Sequence, residues 1–93
     1  ERVMLVGLVR VLLPTLRGQD RVRLTETLEE IGVVNAALRD LHSRSALRRA
    51  RAADLLGLAH IERAVPAMTR TLLDRDADVR RTAARALTGN LRG

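Results

Sequence analysis

Residues 41–57 read LHSRSALRRARAADLLG, and residues 72–87 read LLDRDADVRRTAARAL. With a shift of 32 positions, Leu41 falls on Leu73, Arg48 on Arg80, Arg49 on Arg81, Ala52 on Ala84, Leu55 on Leu87 and Gly57 on Gly89, while upstream Val33 falls on Val65. Both copies run from a turn of Ser or Asp, through a pair of arginines, into an Ala-rich run closed by Leu and Gly. Ser and Asp accept the amide protons left open at a helix start, Ala and Leu favour the helix interior, and Gly suits its end. Self-similarity at a period of roughly 20–50 residues points to stacked supersecondary units. A fainter echo lies upstream, where Val22-Arg23-x-Thr25 and Gly32 repeat the spacing of Val79-Arg80-x-Thr82 and Gly89.

Outward from this repeat, apolar residues recur at helical spacing and no segment alternates like a strand. The periodicity predicts six helices. The first covers about residues 2–13, apolar almost all round, and Pro14 ends it. The second, with Asp20 as its expected N-cap, carries Leu24, Thr27, Leu28 and Ile31, and Gly32 closes it. The third carries Val34, Ala37, Leu38 and Leu41; the fourth, capped by Ser43 or Ser45, buries Ala52, Leu55, Leu56 and Ala59. Ile61, Ala64, Val65, Met68 and Leu72 mark the fifth, with Pro66 near its first turn, where a missing amide proton costs least. Asp74 or Asp76 caps the sixth, whose apolar face is Val79, Ala83, Ala86 and Leu87, and Gly89 is read as its stop. Paired in order, these helices give three hairpins at about 2–31, 33–58 and 61–89, a single all-α domain of 93 residues expected to form a right-handed α-solenoid.

Composition narrows the chemistry. The chain has no Cys, Phe, Tyr or Trp, so thiol chemistry, thiolate metal sites, base stacking and aromatic cages are all excluded. Its net charge of +6 comes from arginine alone, because no Lys is present. Exclusive Arg with abundant Ala, Leu and Val reads first as coding bias and only second as a phosphate-binding surface. At about a dozen residues the first apolar stretch is too short to span a bilayer by itself. The sequence starts at Glu1 and not Met, and Leu87 and Leu91 would face a further helix, so the reading expects a piece of a longer protein.

Residues 72–87 resemble the HEAT-like repeat of the phycobilin-lyase type, with Asp, a spacer, Val79-Arg80, then an Ala-rich helix ending in Leu. The resemblance extends over residues 33–89. It weakens at the earlier copy, where Ser43 and Ser45 stand in place of acids, and holds only in outline before residue 33. The chain also resembles the HEAT-repeat region of bacterial proteins in which such repeats follow a membrane-anchoring segment. The first resemblance implies stacked antiparallel hairpins; neither carries over a catalytic residue or a cofactor.

The repeat arginines need a structural account before a functional one. Arg80 shares a face with Ala83, Ala84 and Leu87, and Arg48 shares one with Ala52 and Leu55. Arg48 and Arg80 are therefore expected to be largely buried and to hold acids or carbonyls of a neighbouring turn. Asp74 and Asp76 are expected to cap; with Asp78 they lack the Gly and distal Glu of a calcium loop. His42 and His60, the only imidazoles, sit near helix ends and form no His-Glu-x-x-His pattern.

These readings favour a non-catalytic scaffold that binds another protein, with no cofactor. The alternative is electrostatic nucleic-acid binding through an arginine surface of Arg49, Arg81 and Arg85. A third reading places the chain beside a membrane in an otherwise cytoplasmic setting. In that reading, or in self-association, the helix over residues 2–13 uses Val3, Val6 and Leu13, because its apolar surface is wider than one groove can cover.

Overall fold

A computed structural model of the chain describes Gly7, Val11, Leu12 and residues 15–92. The described residues are all-helical: α1 (Gln19–Glu30), α2 (Val33–Asp40), α3 (Ala46–Leu58), a 3₁₀ turn (Glu62–Ala64), α4 (Val65–Thr71) and α5 (Ala77–Arg92). α2 pairs with α3 and α4 with α5, and the most extensive contact is α3 against α5. The radius of gyration is 12.2 Å, close to the roughly 12 Å of a compact domain of this length.

Several helix boundaries have a local cause. Ser45 caps α3, its hydroxyl accepting from the Arg48 amide at 3.2 Å. Asp76 caps α5, its Oδ1 accepting from the amides of Asp78 (2.9 Å) and Val79 (3.1 Å). Gly32, at φ 84°, turns the chain after α1 and donates to the Glu29 carbonyl, a left-handed position that glycine takes without strain. α3 ends in the same kind of turn with His60 at φ 54°, the His60 amide reaching the Gly57 carbonyl and the Ile61 amide the Leu56 carbonyl.

Two expected boundaries fall elsewhere. Gly18 precedes α1 as its N-cap, so Asp20 lies inside the first turn, where its charge favours the helix N-terminus. Gly89 does not stop the last helix, which runs on to Arg92; glycine weakens a helix interior by only about 1 kcal/mol.

The core matches the absence of aromatics. Leu28, Val34, Leu56, Met68 and Val79 are the largest fully buried side chains, packed with small alanines at 37, 52, 53, 59, 64 and 83. Such residues let helices approach closely, and Gly57 is the extreme case. A Cβ added there would lie 2.3 Å from Ala86 Cβ and 2.8 Å from Ala86 Cα. Gly57 is thus the point where α3 presses on α5, not a terminator of α3.

The structure also corrects the repeat period. At a shift of 32, Leu41 pairs with Leu73, yet Leu41 is 7% exposed and Leu73 is 88% exposed. At a shift of 31 the hydrogen bonds superimpose. Ser45 N donates to Ser43 Oγ (3.1 Å), and Asp76 N to Asp74 Oδ1 (2.9 Å). Arg48 N donates to Ser45 Oγ, and Val79 N to Asp76 Oδ1. His42 N and Ser43 N reach the Arg39 and Asp40 carbonyls, as Leu73 N and Asp74 N reach those of Arg70 and Thr71. The true equivalences are Leu41 with Leu72, Ser43 with Asp74, Ser45 with Asp76, Arg49 with Arg80 and Ala52 with Ala83.

Candidate interaction surface

The corrected period decides which arginine is buried. Arg48, expected inside, is exposed; Arg49, expected on a binding surface, is 5% exposed. Counted from its cap, Ser45, the fourth residue of α3 is Arg49, and the fourth from Asp76 is Arg80. That residue of each helix points back over its own turn. Arg49 Nη1 donates to the carbonyls of Ser43 (2.8 Å) and Arg44 (3.2 Å), and Arg80 Nη1 donates to that of Asp74 (2.7 Å).

Arg49 differs in what else it holds. Its Nε donates to Asp74 Oδ2 at 2.8 Å and its Nη2 to Asp74 Oδ1 at 3.1 Å, a two-pronged pair between one hairpin and the next. The side chains are 6% and 11% exposed. Burial alone would push the Asp74 carboxyl up. The Arg49 hydrogen bonds, the Asp76 amide and the charges of Arg49 and Arg75 outweigh it, and the net direction is below the ordinary aspartate value.

Arg80 occupies the equivalent place but is exposed, which corrects the expectation that it is buried. Its carbonyl contact survives; among the described residues no carboxylate meets its fork. The surrounding face repeats the pattern. On α3, Arg49, Ala53 and Gly57 stand at i, i+4 and i+8, one row of the helix, with the Arg49 end on Asp74 and the Gly57 end on Ala86. That row faces the next hairpin. Shifted by 31 it becomes Arg80, Ala84 and Thr88 on α5, and all three are exposed.

The remaining site residues scatter. Arg81 ion-pairs with Asp78 one turn back, both exposed, while Arg85 is exposed and makes no ion pair among the described residues. With Arg49 buried, the three do not form one arginine surface. Val3, Val6 and Leu13 lie outside the described residues, as does most of the stretch 2–13. Among the described residues no helix is long and apolar enough to cross a membrane, and no three His, Asp or Glu side chains gather as metal ligands.

A second arginine bridge escaped the sequence reading. Arg63 in the 3₁₀ turn donates to Glu29 Oε1 (2.7 Å) and Oε2 (3.1 Å) and to Asn35 Oδ1 (2.7 Å), tying α1 and α2 to the start of the next hairpin. The Arg63 hydrogen bond holds the Glu29 carboxyl below its ordinary value and raises the Arg63 guanidinium. Arg21 also reaches across, donating to the Leu58 carbonyl at the end of α3. Burial, then the charge of Arg21, lowers the nearby His60. Neither bridge has a local signal, because the partners are 34 and 37 residues apart. The Arg49 anchor did have one: capping chemistry, Ser43-x-Ser45 against Asp74-x-Asp76, gives the shift of 31 that letter identity hides.

No known protein family, characterised protein or solved structure matches the chain.

Proposed function

We propose that this chain is a non-catalytic, HEAT-like helical-repeat scaffold, a right-handed solenoid segment of about three hairpins that binds another protein. One observation carries the reading. The row Arg49, Ala53 and Gly57 takes up the following hairpin, and its copy on α5, Arg80, Ala84 and Thr88, faces solvent. A helix with small residues at the contact, preceded by a turn carboxylate, has the complementary chemistry: the carboxylate enters the Arg80 fork as Asp74 enters that of Arg49. Repeat units of this kind present continuous surfaces of which each unit contacts only its neighbours.

Photo-crosslinking tests it. A photoreactive residue replacing Ala84 or Thr88 is expected to give one protein adduct in extract of the native cell, identified by mass spectrometry and lost when Arg80→Glu is added. The same residue replacing Glu62, exposed on the 3₁₀ turn, should not give that adduct. Equal labelling from all three positions, or adducts with nucleic acid, would contradict the reading.

A further inference from the structure

Between the two repeat turns lies an open cleft of about 400 Å³ lined by His42, Ser43, Arg44, Arg49, Asp74 and Arg75. It holds three guanidinium groups and one carboxylate. The buried pair neutralises itself: both Asp74 oxygens accept from Arg49, and the other two Arg49 hydrogen bonds go to the turn carbonyls of Ser43 and Arg44. Ser43 is engaged too, its hydroxyl by the Ser45 amide and its carbonyl by Arg49.

Arg44 and Arg75 remain. They are equivalent residues of successive turns, 31 positions apart, both exposed, and neither fork makes a hydrogen bond or ion pair of its own among the described residues. Both line the same cleft. The helix N-termini beside them are already capped by Ser45 and Asp76, so the forks are the recognition groups. Leu73, which precedes Asp74 in the chain and lies outside the cleft lining, is the most exposed large apolar side chain described.

We propose that this cleft binds an acidic segment of a partner protein, with one carboxylate on Arg44, a second on Arg75 and an apolar side chain against Leu73. The Arg49–Asp74 pair is the same recognition already made within the chain, a carboxylate laid across an arginine fork. A nucleic-acid backbone fits less well. The chain has no aromatic side chain on which a base could stack. Acidic Asp76 and Asp78 follow Arg75 directly, so the basic area stops at the cleft instead of running on as a phosphate track. The cleft is distinct from the Arg80 row, and either surface can fail without the other.

The test is fluorescence anisotropy at low salt with a short labelled peptide carrying glutamates on either side of one leucine. Joint Arg44→Gln and Arg75→Gln substitution should weaken binding about tenfold, the product of two exposed charge pairs each worth roughly threefold. Arg23→Gln with Arg51→Gln, equal in charge and on exposed positions of α1 and α3, should leave it within about twofold. Replacing the peptide leucine by serine should also weaken binding, and Leu73→Ser should abolish that difference. Neither cleft arginine makes a hydrogen bond or ion pair among the described residues, and exposed Arg75 acts on the buried pair only through its charge on Asp74, so the double variant should melt close to the parent. Equal loss in both pairs of variants would mean attraction to net charge alone and overturn the proposal. So would a labelled duplex that binds more tightly than the peptide and depends on the same two arginines.

Discussion

Arg49 and Arg80 occupy the same place in successive turns and donate the same Nη1 hydrogen bond to the carbonyl six residues back, yet one is buried and the other stands in solvent. The difference is supplied by the next hairpin, which brings Asp74 to Arg49 and nothing among the described residues to Arg80. An arginine in this repeat is therefore not intrinsically a core or a surface residue. Its local bond is fixed by the cap four residues before it, and its burial is fixed by the neighbour.

The largest effect should come from taking away the fork that has a carboxylate. Arg49→Ala is expected to cost about 3 kcal/mol, because it leaves Asp74 enclosed without its partner; chemical denaturation measures it. A cost below about 1 kcal/mol would erase the distinction between the two arginines. Next, Gly57→Leu should cost about 1–3 kcal/mol or more by forcing α3 off Ala86, while Gly89→Leu, with open space around the glycine, should stabilise by up to about 1 kcal/mol through helix propensity. Equal effects at both positions would return the repeat to a period of 32.

The acid limb separates the turns next. Asp74 has a folded-state pKa below its ordinary value, so the stability it contributes is present above the unfolded value of about 3.8 and is lost as pH falls through the folded one. Asp74→Asn should flatten the fall of the melting temperature in that window. At the small end, Arg80→Ala should cost about 0.5–1 kcal/mol for one exposed hydrogen bond, and Arg48→Ala should stay within about 0.5 kcal/mol. An Arg48 effect larger than that of Arg80 would break the assignment of equivalent positions.

The sequence was legible for most of what local chemistry decides, with Asp20, a first-turn residue and not the cap, and Gly89, inside the last helix, as exceptions. Helix existence over the described residues 19–92, the glycine turn at Gly32 and the buried face Ala52, Leu55, Leu56 and Ala59 follow from spacing and residue type, which also narrow the caps to Ser43 or Ser45 and to Asp74 or Asp76. What misled was identity. Arg48-Arg49 and Arg80-Arg81 match letter for letter at a shift of 32, and so do Gly57 and Gly89, but those glycines sit in opposite environments. In a chain built from few residue types, chance identity outweighs a one-residue change of register. The bridges Arg63–Glu29 and Arg21–Leu58 depend on how distant helices meet, so no pattern along the chain announces them.

The most direct measurement is a double-mutant cycle on Arg49→Ala and Asp74→Ala, repeated with Arg80→Ala in place of Arg49→Ala. If the next hairpin's carboxylate is what turns a repeat arginine into a buried anchor, the Arg49 cycle should show a coupling of about 2 kcal/mol and the Arg80 cycle one within about 0.5 kcal/mol of zero. Equal coupling in the two cycles, or none in the first, would contradict that account.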